Sequence, residues 1–152
     1  MTVQTQNSAR LSLAALCAFT TLGLVLGFFG GTSVAKMAAP TENKGISVEP
    51  LGTVTEESLK AQIGLEGYIL QMRAVTIEPG GQVRKHDHAK RPGLVKMLSG
   101  EWVEGRPDGE RTLSAASDTV LVEHKDTVHW VFNRTSKPAT GLVCGISKAK
   151  KF

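Results

Sequence analysis

The sequence of 152 residues predicts an all-β fold, a small jelly-roll β-barrel preceded by an N-terminal hydrophobic helix and a linker. From Tyr68 onward the chain divides into short runs that are rich in β-branched residues and alternate in polarity, as strands with one buried face do. Turn residues separate these runs at intervals of about 8 to 12 positions, which is typical of a sandwich or barrel rather than of βαβ units.

Eight strands within about 80 residues fit one small barrel, which we assign to residues 67–148. Turn residues such as Pro79-Gly80-Gly81 and Pro107-Asp108-Gly109 stand between the strands. The basic segment 149–152 is expected to be a solvated tail. The predicted strands are Tyr68–Glu78, Gln82–His88, Leu94–Leu98, Glu101–Glu104, Glu110–Leu113, Thr119–Glu123, Val128–Arg134 and Ala139–Ser147.

Composition places the chain among globular proteins. Hydrophobic residues make up 41% and charged residues 21% of the sequence, which argues against a disordered chain. The formal net charge of +4 is dilute, and no basic patch is interleaved with aromatic residues, so no nucleic-acid partner is expected. The two cysteines, Cys17 and Cys144, are too few for the disulfide framework of a small secreted domain.

Residues 1–35 are predicted to form a signal peptide or a transmembrane anchor. The segment from Leu11 to Gly31 carries no charge, and its length is closer to the roughly 20 residues that cross a bilayer than to a signal-peptide core. Small residues at Ser33 and Ala35 also permit cleavage after Ala35. The first alternative predicts a membrane-anchored protein that faces the periplasm or another extracytoplasmic side, and the second predicts secretion to the periplasm.

Residues 36–66 are interpreted as a linker with one short helix. Prolines and glycines between Ala38 and Thr53 favour irregular structure. The helix is predicted between Thr53 and Gly64, with Thr53 or Thr55 as its N-terminal cap and Gly64 as its end.

All four histidines of the chain lie in the strand region, and three of them form a candidate metal site. His86 and His88 are two residues apart, so on a strand they project from the same face, opposite to Asp87. His129 begins another predicted strand and would add a third imidazole if the two strands meet. His124 is expected to be a solvent-facing loop residue.

Around these histidines the sequence resembles the cupins, small jelly-roll barrels of the double-stranded β-helix type, over roughly Gly67 to Ser147. Gly80 is followed by five residues, by His86 and His88 one residue apart, and then by Gly93 and Gly100 at the spacing of the first cupin motif. His129 and Asn133 match the second motif, in which three other positions differ. These differing positions are Asp118, His124 and Asp126, where glycine, proline and glycine are usual.

The resemblance to a single-domain, type-2 cupin implies a divalent metal ion held by His86, His88 and His129, with Fe(II) first in order and Mn, Ni, Cu or Zn as alternatives. The glutamate of the first motif is absent, and Gly93 takes its place. Without that carboxylate the ion would keep its full +2 charge and attract anions. Three glutamates are candidates to replace it, namely Glu101, Glu104 and Glu123.

Two functions follow as expectations. The first is a metal-dependent oxidoreductase of the dioxygenase type that acts on a small anionic organic molecule, with no general base identified. The alternative is a non-catalytic module that binds a metal or a small ligand; a homodimer is compatible with both. Basic residues that would attract an anion if they surround the barrel mouth are Arg84, Lys85, Lys90, Arg91 and Lys96.

Overall fold

The computed structural model describes residues 38–149. In this range the chain forms eight strands and one helix. The signal peptide or membrane anchor predicted for residues 1–35 lies outside the described residues and stays a prediction, and within them no helix is long and apolar enough to span a bilayer. The elements are β1 Lys44–Val54, α1 Glu56–Ile63, β2 Tyr68–Asp87, β3 Gly93–Ser99, β4 Glu101–Arg106, β5 Gly109–Ser114, β6 Leu121–Glu123, β7 Val128–Phe132 and β8 Ala139–Lys148.

The strands form one antiparallel sheet that curves into a nearly closed barrel. Its hydrogen-bonded order is β5-β4-β7-β2-β8-β3-β6, and β1 pairs with the free side of β2. Because chain neighbours such as β2 and β3 are separated in this order, the strands cross between the two halves of the barrel, as in a jelly roll. The predicted all-β jelly-roll fold is confirmed.

The two strands predicted on either side of Pro79-Gly80-Gly81 are one continuous strand, β2. The first half of β2 pairs with β8, from Tyr68 opposite Lys148 to Ile77 opposite Ala139, and its end pairs with β7. Gly80 has a φ of +70°, so the strand bends where it passes from one partner to the other. The turn prediction was therefore wrong, because the glycines produce a bend rather than a reversal.

The interpretation of residues 36–66 as a linker also needs correction, because Lys44–Val54 forms β1. This strand pairs antiparallel with β2, from Lys44 opposite Gln82 to Val54 opposite Leu70. Almost all its side chains are exposed, so its sequence lacks the alternation that identifies a half-buried strand. The helix α1 follows as predicted, with Thr55 accepting a hydrogen bond from the Ser58 amide and Gly64 ending it in the left-handed conformation.

The core inside the barrel is mainly aliphatic. Trp102 crosses it, and its indole N–H donates to the Ala139 carbonyl at 3.1 Å. A Cβ atom on Gly141 would lie 2.5 Å from the Trp102 ring, so the absence of a side chain there makes room for the indole. The buried core cluster that contains Trp102 and Ala139 also includes Ile77, Val95, Met97, Leu113, Leu121 and Val131.

The outer face of the sheet carries an apolar row. Met72 pairs with Cys144, which pairs with Leu94, which in turn pairs with Val122, and cross-strand partners project to the same face. Met72, Leu94 and Val122 are exposed, and the free thiol of Cys144 is half-buried rather than fully buried. The homodimer stays a prediction.

Replacing Gly105 with alanine is expected to destabilise the fold. A Cβ atom at Gly105 would lie 2.1 Å from Nε1 of Trp130, the residue that follows His129. Overpacking of this kind costs about 1–3 kcal/mol in the free energy of unfolding. Urea unfolding would measure the loss, and Gly109→Ala is the matched control because its Cβ would meet no atom within 4 Å. Equal stability of both variants would contradict the prediction.

Candidate metal centre

The three predicted ligands come from the adjacent strands β2 and β7. His86 lies directly opposite His129, and His88 is the first residue after β2. Val83 pairs with Val131, so three steps along β2 correspond to two steps along β7. This β-bulge changes which face His86 occupies. As a result, Val83 and His86 both line one small cavity beside the histidines. In a regular strand, residues three positions apart would lie on opposite faces.

The three imidazoles converge on one point. Nε2 of His129 is 3.0 Å from Nε2 of His88 and 3.0 Å from Nε2 of His86. One ligand atom of each residue lies within 4.8 Å of the other two. Histidine nitrogens bind transition metals at about 2.0–2.1 Å, so nitrogens 3.0 Å apart can share one ion.

The other nitrogen of each ring shows where its proton lies. Nδ1 of His86 is 2.8 Å from the Arg84 carbonyl oxygen, and Nδ1 of His88 is 2.8 Å from the Arg91 carbonyl oxygen. Carbonyl oxygens can only accept, so each Nδ1 must donate its N–H. In a neutral ring the Nε2 atom is then left as a bare lone pair, which is the form that binds a metal.

His129 is oriented in the same way by Glu104. Nδ1 of His129 donates to Oε1 of Glu104 at 2.7 Å, and neither residue is more than 2% exposed. Arg106 and Arg111 also hydrogen-bond to the Glu104 carboxylate. Burial alone would raise the pKa of Glu104, but the hydrogen bonds from His129, Arg111 and Arg106 outweigh it and lower the pKa to about 2. Glu104 is therefore ionised and holds His129 with Nε2 towards the other histidines.

Burial also keeps His86 and His88 uncharged. Desolvation lowers the pKa of His86, and it lowers the pKa of His88 to about 4. Both rings are neutral near pH 7, because an imidazole loses its second proton when the pH exceeds its pKa. Their Nε2 atoms therefore carry no proton in the tautomer that the carbonyl partners select.

Comparison with known proteins relates this fold to solved structures. No protein-family model matches the chain, and no curated protein matches its sequence. A Cupin_2 domain of an XRE-family transcriptional regulator from Enterobacter cloacae superposes with a TM-score of 0.50 at 21% identity, over 70% of this chain and 100% of that one. A predicted oxalate decarboxylase from Thermotoga maritima superposes with a TM-score of 0.52 at 16% identity, over 72% and 98%.

A third similar structure is KdgF from Halomonas sp., with a TM-score of 0.50 at 15% identity, over 70% of this chain and 81% of that one. This protein has the cupin fold. At these identities the comparisons establish the fold of the cupin domain, and the site must be judged from the residues of this chain.

The three candidate carboxylates of this protein lie in different places. Glu101 is exposed, and Glu104 lies behind His129, where it contacts Nδ1 rather than Nε2. Glu123, at the end of β6, is buried beside the histidines: Oε1 is 3.7 Å from Nε2 of His129, and Oε2 is 3.2 Å from Nδ1 of His88. Burial raises the pKa of Glu123. Of the three, only Glu123 approaches a ligand nitrogen, Nε2 of His129.

Two cavities adjoin the three clustered histidines. The inner one, of about 110 Å³, is lined by all three histidines, Glu123 and core residues. The outer one, of about 750 Å³, shares His86 and His88 with it. Arg73, which no motif in the sequence distinguishes, lines both cavities. Within the described range its guanidinium has no hydrogen bond or ion pair with another residue.

The predicted basic residues divide between the cavity and other surfaces. Arg84, Lys90 and Arg91 line the outer cavity, as does Lys148 near the end of β8. Lys96 is directed elsewhere, because Nζ donates to the Ser117 carbonyl at 2.6 Å. Lys85 lines neither of the two cavities.

The remaining residues of the second cupin motif have structural positions in this fold. Asn133 is buried, and its Nδ2 donates to the carbonyls of Ile77 at 2.8 Å and Lys137 at 2.7 Å. It ties the chain after β7 to the bend in β2 and does not approach the histidines. His124 is exposed in the loop after β6, as predicted.

Proposed function

We propose that this cupin binds one divalent transition-metal ion through Nε2 of His86, His88 and His129. One observation carries the proposal: three imidazoles, each donating its Nδ1–H away from the site, bring their Nε2 atoms together through two 3.0 Å contacts. Lone pairs at that distance repel unless a proton or a cation lies between them. The lowered pKa values of His86 and His88 disfavour a proton on either of these two rings.

The donor set suits borderline first-row ions. Imidazole nitrogens bind Fe, Ni, Cu and Zn well, and we place Fe(II) first, followed by Mn, Ni, Cu and Zn. When bound, such an ion supplies Lewis acidity and, if it is redox-active, a means of activating oxygen. The contribution of the chain is to orient the three rings through Arg84, Arg91 and Glu104 and to bury His88 and His129.

We further propose that a small anionic organic molecule binds in the outer cavity. The volume of about 750 Å³ is that of a small-molecule site. Arg73 supports this proposal most directly, because its half-buried guanidinium lines both cavities and forms no hydrogen bond or ion pair among the described residues. A planar guanidinium in such a position can bind a carboxylate through two parallel hydrogen bonds. The same site would serve an oxidoreductase of the dioxygenase type or a module that only binds its ligand.

Metal content tests the first proposal. We expect the full chain, purified without a histidine tag and reconstituted separately with Fe(II), Mn(II), Ni(II), Cu(II) and Zn(II), to retain about one equivalent of at least one ion after gel filtration. Elemental analysis gives the stoichiometry. Absence of bound metal after every reconstitution would overturn the proposal.

Oxygen uptake by the metal-loaded protein tests the second proposal. With a panel of small carboxylates, thiols and phenolic acids, the dioxygenase interpretation predicts oxygen consumption with at least one compound, whereas the binding-module interpretation predicts saturable binding without it. We expect Arg73→Met to weaken binding of an anionic ligand by about tenfold or more, because a charged hydrogen bond contributes about 1.5–3 kcal/mol. Lys137→Met, in an exposed loop, is the charge-matched control. Equal binding by both variants would contradict the role of Arg73.

A further inference from the structure

The position that holds the metal-binding glutamate in other cupins is adjacent to Glu123 in this structure. Gly93 on β3 is the direct antiparallel partner of Glu123 on β6, and directly paired residues project from the same face of a sheet. A Cβ atom on Gly93 would lie 2.4 Å from Oε2 of Glu123. The carboxylate of Glu123 therefore fills the space that a side chain at residue 93 would enter.

No hydrogen bond from the surroundings satisfies the carboxylate of Glu123, although the charges of Arg91 and Arg73 act on it. Its side chain is only 7% exposed, yet it accepts no hydrogen bond from any residue in the described range. The nearest N–H group, on Nδ1 of His88, lies 3.2 Å from Oε2 but donates to the Arg91 carbonyl, and the atom of His129 nearest to Glu123 is Nε2, at 3.7 Å. A buried carboxylate without a donor is costly, and a cation at the three Nε2 atoms would compensate for it.

We infer that Glu123 is the fourth protein ligand of the metal ion, so that the carboxylate has moved from β3 to the neighbouring strand β6. The inference rests on the metal site proposed above. It explains why residue 93 is glycine, since any larger side chain would displace the Glu123 carboxylate. It also changes the charge expected at the site, because one carboxylate reduces the net charge of a divalent ion and its ligands from +2 to +1.

A hard oxygen ligand also narrows the choice of ion. Carboxylates suit Mn and Fe(II), whereas Cu(I) prefers soft sulfur ligands. A site of three imidazoles and one carboxylate would therefore favour Fe(II) or Mn(II) more strongly than a site of three imidazoles alone.

The test compares metal affinities of variants in the full chain. Glu123→Gln keeps the size of the side chain but removes the charge. We expect the dissociation constants of this variant for Co(II) and Zn(II) to rise by about 100-fold. Loss of an outer-shell partner reduces metal affinity by about 10–100-fold, and loss of a direct ligand should lie at the upper end of that range. The visible absorption bands of the Co(II) form should also change, because they report the ligand set. Glu101→Gln, an exposed glutamate on β4, is the control and should leave both readouts unchanged.

Moving the carboxylate back provides a second, independent measurement. Gly93→Glu alone should fail to bind metal tightly, because its side chain collides with Glu123. The double variant Gly93→Glu, Glu123→Gly removes that collision, and we expect it to recover affinity to within about tenfold of the original protein. Circular dichroism would verify that each variant is folded.

The outcomes separate this inference from the proposal on which it depends. If the unaltered protein binds no metal, the three-histidine site itself is wrong. If it binds one equivalent and folded Glu123→Gln binds equally tightly with an unchanged Co(II) spectrum, the histidine site stands and Glu123 is not a ligand. Loss of affinity in Glu123→Gln together with its recovery in the double variant would establish the relocated carboxylate.

Discussion

Replacing His129 with alanine is expected to abolish stoichiometric metal binding. Nε2 of His129 is the atom shared by both 3.0 Å contacts of the cluster, so its loss leaves His86 and His88 without a common partner. The same change leaves the buried carboxylate of Glu104 without the imidazole that donates to it. Elemental analysis of the reconstituted variant after gel filtration should show well below one equivalent of metal, since His86, His88 and the proposed ligand Glu123 retain a divalent ion more weakly than the full ligand set.

The chain provides its own control for this experiment. His124 is the one histidine outside the cluster, and it is exposed in the loop after β6. His124→Ala should retain the full equivalent of metal, which would exclude non-specific binding by surface imidazoles. Full metal content in folded His129→Ala would show that the ion, if present, is bound elsewhere.

Replacing Glu104 with glutamine should weaken metal binding although Glu104 does not face the ion. The carboxylate accepts the Nδ1–H of His129, which sets the tautomer of that ring and makes Nε2 more basic. A glutamine carbonyl can still accept this proton but lacks the negative charge. Losing an outer-shell partner typically reduces metal affinity by 10–100-fold, and competition titration with a chromophoric chelator would measure the change.

Glu104→Gln should also reduce the free energy of unfolding. The buried carboxylate binds Arg106 and Arg111 as well as His129. Both arginine side chains are partly exposed, at 29% and 48%, so water can solvate them after the change and the expected loss is only about 1–3 kcal/mol. Urea unfolding of the metal-free protein would measure this loss, with Glu101→Gln as the exposed control on the same strand. A variant with unchanged metal affinity would show that Glu104 acts only in folding.

Much of the fold follows from local sequence signals. The helix α1 is specified by Thr55 and Gly64, whose capping chemistry acts within a few residues. Most strands of the barrel are recognisable because one face is buried and alternation therefore appears in the sequence. In contrast, β1 is held by backbone pairing with β2 while its side chains stay in solvent, so no alternation reveals it.

Which strand residues lie at the metal site depends on the pairing register between strands, and the sequence does not show this register. Glu101, Glu104 and Glu123 are equivalent candidates in sequence, yet one is exposed, one lies behind His129 and one faces the ligand atoms. Arg73 has no neighbouring motif to distinguish it, and it reaches the site only because β2 lies beside β7 and β8 in the barrel.

The sequence by itself determined the jelly-roll class and the three histidines, because strand alternation, turn residues and the spacing of His86 and His88 are local properties. The tertiary structure decided the rest of the site. The bulge after Val83 turns His86 inward. The pairing of Gly93 with Glu123, thirty positions later in the chain, places a carboxylate beside the histidines. Both depend on contacts between strands that are distant in the chain, and a shift of one residue in register would reverse which side chains face the cavity.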